Sequence, residues 1–370
     1  METDPAPFLG VLFHAIGGLA AASFYVPYKQ VRRWPWENAW LLGGFFSWIV
    51  APSLAALLLA PATWSVIAGA PPKALFWTYA FGFLWGIGGL TYGLTMRYLG
   101  IALGNAVALG MCAFFGTLVP PVFSGEITDV VSTGSGRIVL AGVFVCLLGI
   151  AMSGRAGLGK EREMDEASKK ATIAEFNFLK GMLVAVFAGA MSACMAFGFA
   201  AGKPIGALAT ESGIAPLWQN LPVLVVVLAG GFTLNFLWCA GLILRRGNAR
   251  VYLGKPARDN PTTGPESEPV GPGRLGTNYL WCILAGFTWY LQFFFYGMGT
   301  TKMGRFEFSS WTLHMASIII FGTIWGLLFL EWKGVGRSTR RWLAAGLATL
   351  ILSTIVIGWG NALAGGGTGH

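Results

Sequence analysis

Long apolar runs alternate with short polar segments along almost the whole chain. About 20 apolar residues are needed for a helix to cross the hydrocarbon core of a bilayer. Ten runs are of roughly that length, and they cover residues 8–28, 38–60, 74–96, 99–122, 137–154, 179–201, 216–244, 277–300, 307–330 and 341–362. The pattern therefore predicts an all-α polytopic membrane protein with ten transmembrane helices.

The second half of the chain repeats features of the first half. A Trp followed seven residues later by Tyr-Gly occurs at 85–93 and again at 289–297. A Phe-Gly-Thr tripeptide occurs at 115–117 and again at 321–323. Five runs precede the second half, and because five is odd, the second half enters the membrane from the opposite side. The sequence thus predicts two inverted five-helix repeats, which are typical of secondary transporters.

The predicted domain organisation follows from these runs. The first repeat covers 1–154, and a charged cytoplasmic linker follows at 155–178. The second repeat covers 179–362 and contains a flexible cytoplasmic loop at 246–274, and a disordered tail covers 363–370. The loop is rich in Pro, Gly, Thr and Glu. Such a composition is typical of flexible connections.

Composition and charge agree with a membrane protein. Only 11% of the residues are charged, against about a quarter in soluble domains. If the N-terminus lies outside, 20 of the 25 Lys and Arg residues fall on the inner side. Positive residues accumulate on the cytoplasmic side of membrane proteins. We therefore expect both termini on the periplasmic side, and we attribute the net charge of +9 to topology and not to nucleic-acid binding.

The run at 285–297 holds aromatic and polar side chains well inside its apolar stretch. An unpaired polar group in hydrocarbon costs several kcal/mol. We therefore expect these polar side chains to bond to other groups inside the protein. A sugar requires hydrogen-bonding groups for its hydroxyls and aromatic faces for its C–H surface. The alternatives are simple packing and an aromatic belt at the membrane surface. The candidate sugar-binding residues are Trp85, Tyr92, Trp289, Tyr290, Gln292, Tyr296 and Trp311.

Two histidines, His14 and His314, lie within the predicted spans. An unperturbed histidine titrates near pH ~6.5 and can load and release a proton under ordinary gradients. We predict that one of them couples transport to protons, and we favour His314 because it shares a helical face with Trp311. The alternative is a structural histidine bonded to a carbonyl.

Charged residues at the span ends form a second group. The predicted gating or structural ions are Lys29, Glu37, Arg97 and Glu331. We expect the two glutamates to pair with neighbouring basic residues, namely Lys29, Arg32, Arg33 or Lys333. A proton carried by one of these glutamates is the alternative to a coupling histidine.

Motifs of catalysis and metal binding are missing from the sequence. It contains no HExxH, no GxxxxGK[ST] and no GxSxG. The five cysteines fall inside apolar runs without metal-ligand spacing. We therefore expect no enzyme, no metal and no cofactor other than the coupling proton.

Several segments resemble the L-rhamnose–proton symporters of the drug/metabolite transporter superfamily. The resemblance is carried by FYVPYK at 24–29, WPWE at 34–37, YGLTMRYLG at 92–100, WYLQFFFY at 289–296, WTLHM at 311–315 and EW at 331–332. It implies ten helices, a bacterial inner membrane, and uptake of L-rhamnose or a related 6-deoxyhexose with a proton. His14 also looks like a family position. The chain departs from the family pattern in the loop at 246–274 and around 304–308, and the second departure leaves the exact sugar open.

Two other functions are compatible with the fold. One is transport of a different small metabolite, such as export of an amphipathic amine, and the other is a non-transporting sugar sensor. An amine exporter would need a carboxylate in mid-membrane, and no Asp or Glu lies at the centre of a predicted span. A sensor would need an additional soluble domain, for which no segment is long enough. The sequence therefore favours a proton-coupled sugar importer in the lipid bilayer.

Overall fold

The computed structural model describes residues 6–163, 177–258 and 272–366. Ten helices in these ranges are long and apolar enough to cross a membrane, which confirms the predicted number. We label them α1 to α10, and they cover Pro7–Tyr28, Trp36–Leu59, Pro72–Leu99, Leu103–Phe123, Gly134–Glu163, Phe178–Glu211, Pro216–Arg246, Arg274–Thr300, Gly304–Leu328 and Arg337–Ala364. All regular structure in the described ranges is helical.

Two helices run well past the predicted ends of their apolar runs. α5 continues to Glu163, and α6 continues through a bend at Gly202 to Glu211. The reason is that hydropathy marks the part of a helix that contacts lipid, whereas backbone hydrogen bonds continue into the polar region. The predicted loop contains a short helix at Asn248–Leu253, and its remainder from 259 to 271 lies outside the described residues. Residues 164–176 of the predicted linker (155–178) and residues 367–370 of the predicted tail (363–370) also lie outside them, whereas 155–163 and 363–366 are helical.

One wide turn interrupts α2. A π-helical turn at Phe46–Val50 separates the α-helical segments Trp36–Phe45 and Ala51–Leu59. Within it, the backbone N–H of Ala51 donates to the carbonyl of Phe46, five residues back. Pro52 follows immediately, and proline has no N–H to continue the ordinary helical ladder. The turn changes the direction of the side chains that α2 presents to the bundle.

Helix packing follows the same plan in both halves of the chain. α1 packs against α8 and α9, and α6 packs in the same way against α3 and α4. α3 packs on α7, α2 packs on α8, and α5 runs beside α10. These contacts leave a space in the middle of the bundle, which α2, α3, α7 and α8 help to enclose.

Candidate functional site

A cavity of about 1610 Å³ enters the bundle from one end. Its mouth is formed by the link between α1 and α2 and by the C-terminal ends of α3, α5 and α9. Pockets for small molecules usually measure about 300–1,000 Å³. The larger volume indicates a pathway that reaches into the bundle. Four charged residues line the cavity, and they lie towards its mouth. They are Arg97, Lys160, Glu161 and Glu331.

Three tryptophan rings meet deep in this cavity. The ring centroid of Trp48 lies 5.4 Å from that of Trp85 and 5.3 Å from that of Trp289. Trp85 and Trp289 are 5.6 Å apart. The three rings come from α2, α3 and α8, so they join both halves of the chain. We call these three residues the tryptophan cluster, and their faces can pack on the C–H surface of a small ligand.

Amide and hydroxyl groups stand beside the tryptophan cluster. The hydroxyl of Tyr92 donates to the side-chain oxygen of Asn105. Asn235 and Ser192 line the same cavity. The cavity therefore offers aromatic faces together with uncharged polar groups, which suits an uncharged polar ligand.

A second group of rings lies behind the tryptophan cluster, towards the other end of the bundle. Tyr296 lies between the two imidazoles, with its ring centroid 5.4 Å from His14 and 5.4 Å from His314. Trp311 is 6.2 Å from His314, and Phe293 is 5.7 Å from it. We call these five residues the histidine cluster. Both histidines are fully buried, and no hydrogen-bond partner for their ring nitrogens is found in the described part of the chain.

Phe293 connects the histidine cluster to the tryptophan cluster. The ring of Phe293 contacts Trp85 and Trp289 at 6.2 and 5.2 Å. It also packs on Tyr296 at 6.2 Å. A continuous series of aromatic rings therefore runs from the floor of the cavity to the histidines, and none of the five histidine-cluster residues lines the cavity.

Three ion pairs lie at the end opposite the cavity mouth, and two of them, Lys203–Glu126 and Arg305–Asp129, join the two halves of the chain. Lys203 lies 2.7 Å from Glu307 and 3.9 Å from Glu126. Arg305 lies 3.6 Å from Asp129. These residues belong to α6 near its bend, to the link between α4 and α5, and to the start of α9. The structure is thus open at one end and closed at the other.

The partners of the two predicted glutamate ions differ from those expected. Glu37 is fully buried and accepts a hydrogen bond of 2.9 Å from Arg246, at the end of α7. Glu331 lies 3.7 Å from Lys160. The expected pairing with neighbours in sequence was wrong, because helix packing brings basic residues of distant helices closer. Lys29 instead places its ammonium 4.5 Å from the ring centre of Phe329.

The structure distributes the seven predicted sugar-binding residues over three places. Trp85, Tyr92 and Trp289 line the cavity, whereas Tyr296 and Trp311 belong to the histidine cluster. Tyr290 is buried against Phe294. Gln292 is buried, and its amide donates to the carbonyl of Trp289 in the same helix. Its own backbone carbonyl faces α1, where a Cβ placed on Gly17 would be only 2.8 Å away.

Two cavity residues, Trp48 and Asn235, are missing from the predicted set. Trp48 lies in the middle of its run and not at an end, between a Gly-Gly pair at 43–44 and Pro52. A tryptophan in the middle of an apolar run and four residues before a proline is the signal that could have identified Trp48 as a cavity residue. Asn235 has apolar neighbours on both sides in the sequence, which gives no indication of which helix it faces.

Comparison with known proteins places the whole chain in one family. The family model described as L-rhamnose-proton symport protein matches residues 3–363. The chain is 38% identical over 359 residues to the L-rhamnose-proton symporter of Cronobacter sakazakii, covering 96% of this chain and 98% of that one. It is 37% identical to the Yersinia pestis protein of the same name over 358 residues, covering 96% and 99%. It is 36% identical to that of Citrobacter koseri over 355 residues, covering 96% and 98%.

Proposed function

The chain belongs to the family of L-rhamnose-proton symport proteins, and on that premise we propose that it takes up L-rhamnose or a related 6-deoxyhexose together with a proton. The family is one of transporters and not of enzymes, and symport needs no cofactor beyond the proton gradient. Ten apolar helices and this family make the chain a multi-pass protein of the bacterial inner membrane. The observation that carries the proposal for the sugar is the tryptophan cluster at the floor of a cavity whose charged lining residues all lie towards its mouth.

The sugar site that we propose centres on Trp85, Tyr92 and Trp289. Tryptophan faces can cover the C–H face and the methyl group of a 6-deoxyhexose. The Tyr92–Asn105 pair can exchange its internal hydrogen bond for one to a sugar hydroxyl. We keep Tyr290, Gln292, Tyr296 and Trp311 as proposed contacts of a second conformation, in which the histidine cluster becomes accessible.

The histidine cluster supports a role for His14 and His314 in proton coupling. A charged imidazolium buried without partners is costly. Protonation should therefore require an arrangement in which water or the sugar reaches the ring. Phe293 closes the cavity side of the cluster, and the ion pairs around Lys203 close the other side. Proton loading is then tied to opening of the closed end, which is what symport requires.

Alternating access is the second part of the proposal. The equivalent packing of α1 on α8 and α9, and of α6 on α3 and α4, supports two inverted repeats related by an axis in the membrane plane. The tryptophan cluster lies between the halves. With the predicted orientation, the cavity mouth faces the cytoplasm and the ion pairs face the periplasm, so the structure is inward-open. Both termini are then periplasmic.

Uptake of radiolabelled L-rhamnose into right-side-out membrane vesicles tests the function. A pH difference of about one unit corresponds to about 1.4 kcal/mol, so one proton per sugar supports about tenfold accumulation. We expect accumulation with an imposed gradient, acid outside, and only equilibration when a protonophore is added. Vesicles without the protein are the control.

The same assay separates the alternatives. Accumulation of another metabolite, with no competition by 6-deoxyhexoses, would show a different transporter on this fold. Sugar binding to the purified protein without any flux in vesicles would show a sensor.

A further inference from the structure

Two buried hydrogen-bond donors of the cavity lining lie beside each other. They are the indole N–H of Trp48, on the π-helical turn of α2, and the side-chain amide of Asn235, on α7. Both side chains line the cavity, with exposed fractions of 6% for Trp48 and 3% for Asn235. No hydrogen-bond partner for Trp48 Nε1 or Asn235 Nδ2 occurs within residues 6–163, 177–258 and 272–366.

Local geometry holds both side chains in place. A Cβ on Gly44 would lie 2.8 Å from Asn235 Nδ2 and 3.4 Å from Trp48 Cζ3. Both side chains therefore pack over the backbone of Gly44, one turn before Trp48. The side-chain oxygen of Asn235 is already engaged, because the thiol of Cys239 donates to it at 3.5 Å. What remains free on each side chain is a donor.

Buried donors without acceptors are uncommon in folded proteins, because each loses its bonds to water without replacement. The π-helical turn points in the same direction, since such turns are frequent at functional sites. Trp48 lies on this turn, and its ring contacts those of Trp85 and Trp289.

The missing partner must be an acceptor, and the surroundings limit its charge. The indole N–H can only donate, and the free atom of Asn235 is also a donor. The charged residues that line the cavity lie towards its mouth, away from the tryptophan cluster. The partner should therefore be an uncharged acceptor that lies close to aromatic faces. The hydroxyl and ring oxygens of a sugar meet both requirements.

We propose that Trp48 and Asn235 donate hydrogen bonds to oxygens of the transported sugar and thereby determine which hydroxyl pattern is accepted. This inference rests on the proposed function and names binding residues that the sequence analysis did not include. Trp85 and Trp289 then supply affinity through their faces, whereas Trp48 and Asn235 read the positions of individual oxygens. A site that donates to a particular oxygen discriminates against an analogue that lacks it.

Equilibrium binding of radiolabelled L-rhamnose to purified protein in detergent tests the inference without flux or protons. The variants are Trp48→Phe and Asn235→Leu, which remove the donors while keeping apolar bulk. Because a phenylalanine can alter packing, a second Trp48 variant carries 3-benzothienylalanine, in which sulfur replaces the indole N–H in the same shape. Trp359→Phe, at an exposed position on α10, is the matched control.

Deoxy analogues of the sugar identify the oxygen that each donor contacts. Wild-type protein is measured with derivatives that each lack one hydroxyl or the ring oxygen. We expect about tenfold weaker binding of L-rhamnose by each donor variant, the upper range for one neutral hydrogen bond. For each donor, the wild-type protein should bind one of the analogues about as weakly as the donor variant binds L-rhamnose. The donor variant should bind that analogue no more weakly than it binds L-rhamnose.

The outcomes separate this inference from the proposed function. If wild-type protein binds L-rhamnose and the donor variants bind it and all analogues with wild-type affinity, the inference is wrong and the function stands. If a variant loses affinity equally for every analogue, its residue has a packing role and the inference is also wrong. If wild-type protein binds no 6-deoxyhexose, both the function and the inference fall.

Discussion

At the scale of single residues, the histidine cluster is the most informative feature. His14 fits against a glycine, since a Cβ on Gly299 would lie 2.6 Å from its Cε1. The ring therefore occupies space that α8 leaves open for it. Trp311, by contrast, is held by a hydrogen bond of 3.0 Å from its indole to the carbonyl of Cys112. Among the described residues, packing is what positions the imidazoles, because their ring nitrogens have no hydrogen-bond partner there. These nitrogens can therefore accept a proton or bind a ligand.

Replacing the coupling histidine should separate sugar flux from proton flux. We expect His314→Gln to lose accumulation driven by a pH gradient, from about tenfold for a one-unit gradient to equilibration. Sugar counterflow needs no net proton movement and should persist. The measurement compares both fluxes in vesicles, with His14→Gln studied in parallel. If both variants still concentrate sugar, the histidines are structural and the proton must be sought on Glu37 or Glu331.

At the scale of helices, close approach of backbones holds α3 and α7 together. A Cβ on Gly82 would collide with the carbonyl oxygen of Val227, and one on Gly230 would collide with that of Tyr79. Small residues allow such contacts, and van der Waals packing is a main source of helix association in membranes. Because α3 carries Trp85 and α7 carries Asn235, this crossing also sets the width of the cavity.

Adding a methyl group at this crossing should destabilise the bundle. We expect Gly82→Ala and Gly230→Ala each to cost about 1–3 kcal/mol, the range for overpacking. The midpoint temperature of thermal unfolding in detergent should fall. Size-exclusion chromatography after heating measures how much folded protein remains at each temperature. Gly241→Ala is the matched control on α7, because nothing in the described structure lies within 4 Å of its added Cβ. Equal stability of Gly230→Ala and Gly241→Ala would contradict the packing argument.

The ion pairs at the closed end should bias the transporter towards the inward-open state. Lys203 and its partners are about half exposed, and exposed pairs contribute only about 0.2–1 kcal/mol. We therefore expect Lys203→Gln to raise the population of the outward-open state by no more than about fivefold. The measurement uses the variant Ser309→Cys, because position 309 is fully buried beside this end. A membrane-impermeant maleimide can label this cysteine only when the end opens.

Labelling of this cysteine should be faster in the Lys203→Gln background. The exposed lysine at the same end, Lys73, provides the control substitution Lys73→Gln. Identical rates in the two backgrounds would mean that the ion pairs have no part in gating.

At the scale of the whole molecule, the structure has a cavity at one end and a group of ion pairs at the other. The assignment of these ends to cytoplasm and periplasm comes from the distribution of 20 and five basic residues along the chain. With that assignment, the proposed sugar site at the tryptophan cluster opens to the cytoplasm through the cavity mouth.

Reporter fusions test the orientation directly. An enzyme that is active only in the cytoplasm should be active when inserted within 246–274 and inactive when fused after residue 370. A periplasmic reporter should give the opposite pattern at both positions, because the two sites are separated by three spans. A reversed result would place the cavity mouth in the periplasm and make the structure outward-open.

The sequence by itself determined the number of helices and the class of protein. Each span is a local property, since about 20 apolar residues satisfy the thickness of the bilayer whatever they pack against. The family was also readable, because motifs such as WYLQFFFY at 289–296 are contiguous in the chain. The uncharged, aromatic character of the site followed from the same stretch, and Trp85, Tyr92 and Trp289 do line the cavity.

Only the tertiary structure decided which side chains share the cavity. It placed Trp48 and Asn235 there, bonded the Gln292 amide to the carbonyl of Trp289 in its own helix, and paired Glu37 with Arg246, 209 residues away. In a soluble helix, polar periodicity marks the outer face, but lipid and protein interior are both apolar, so that periodicity is weak in membrane helices. The rotation of each helix is therefore set by contacts with distant helices, and the composition of the site is set with it.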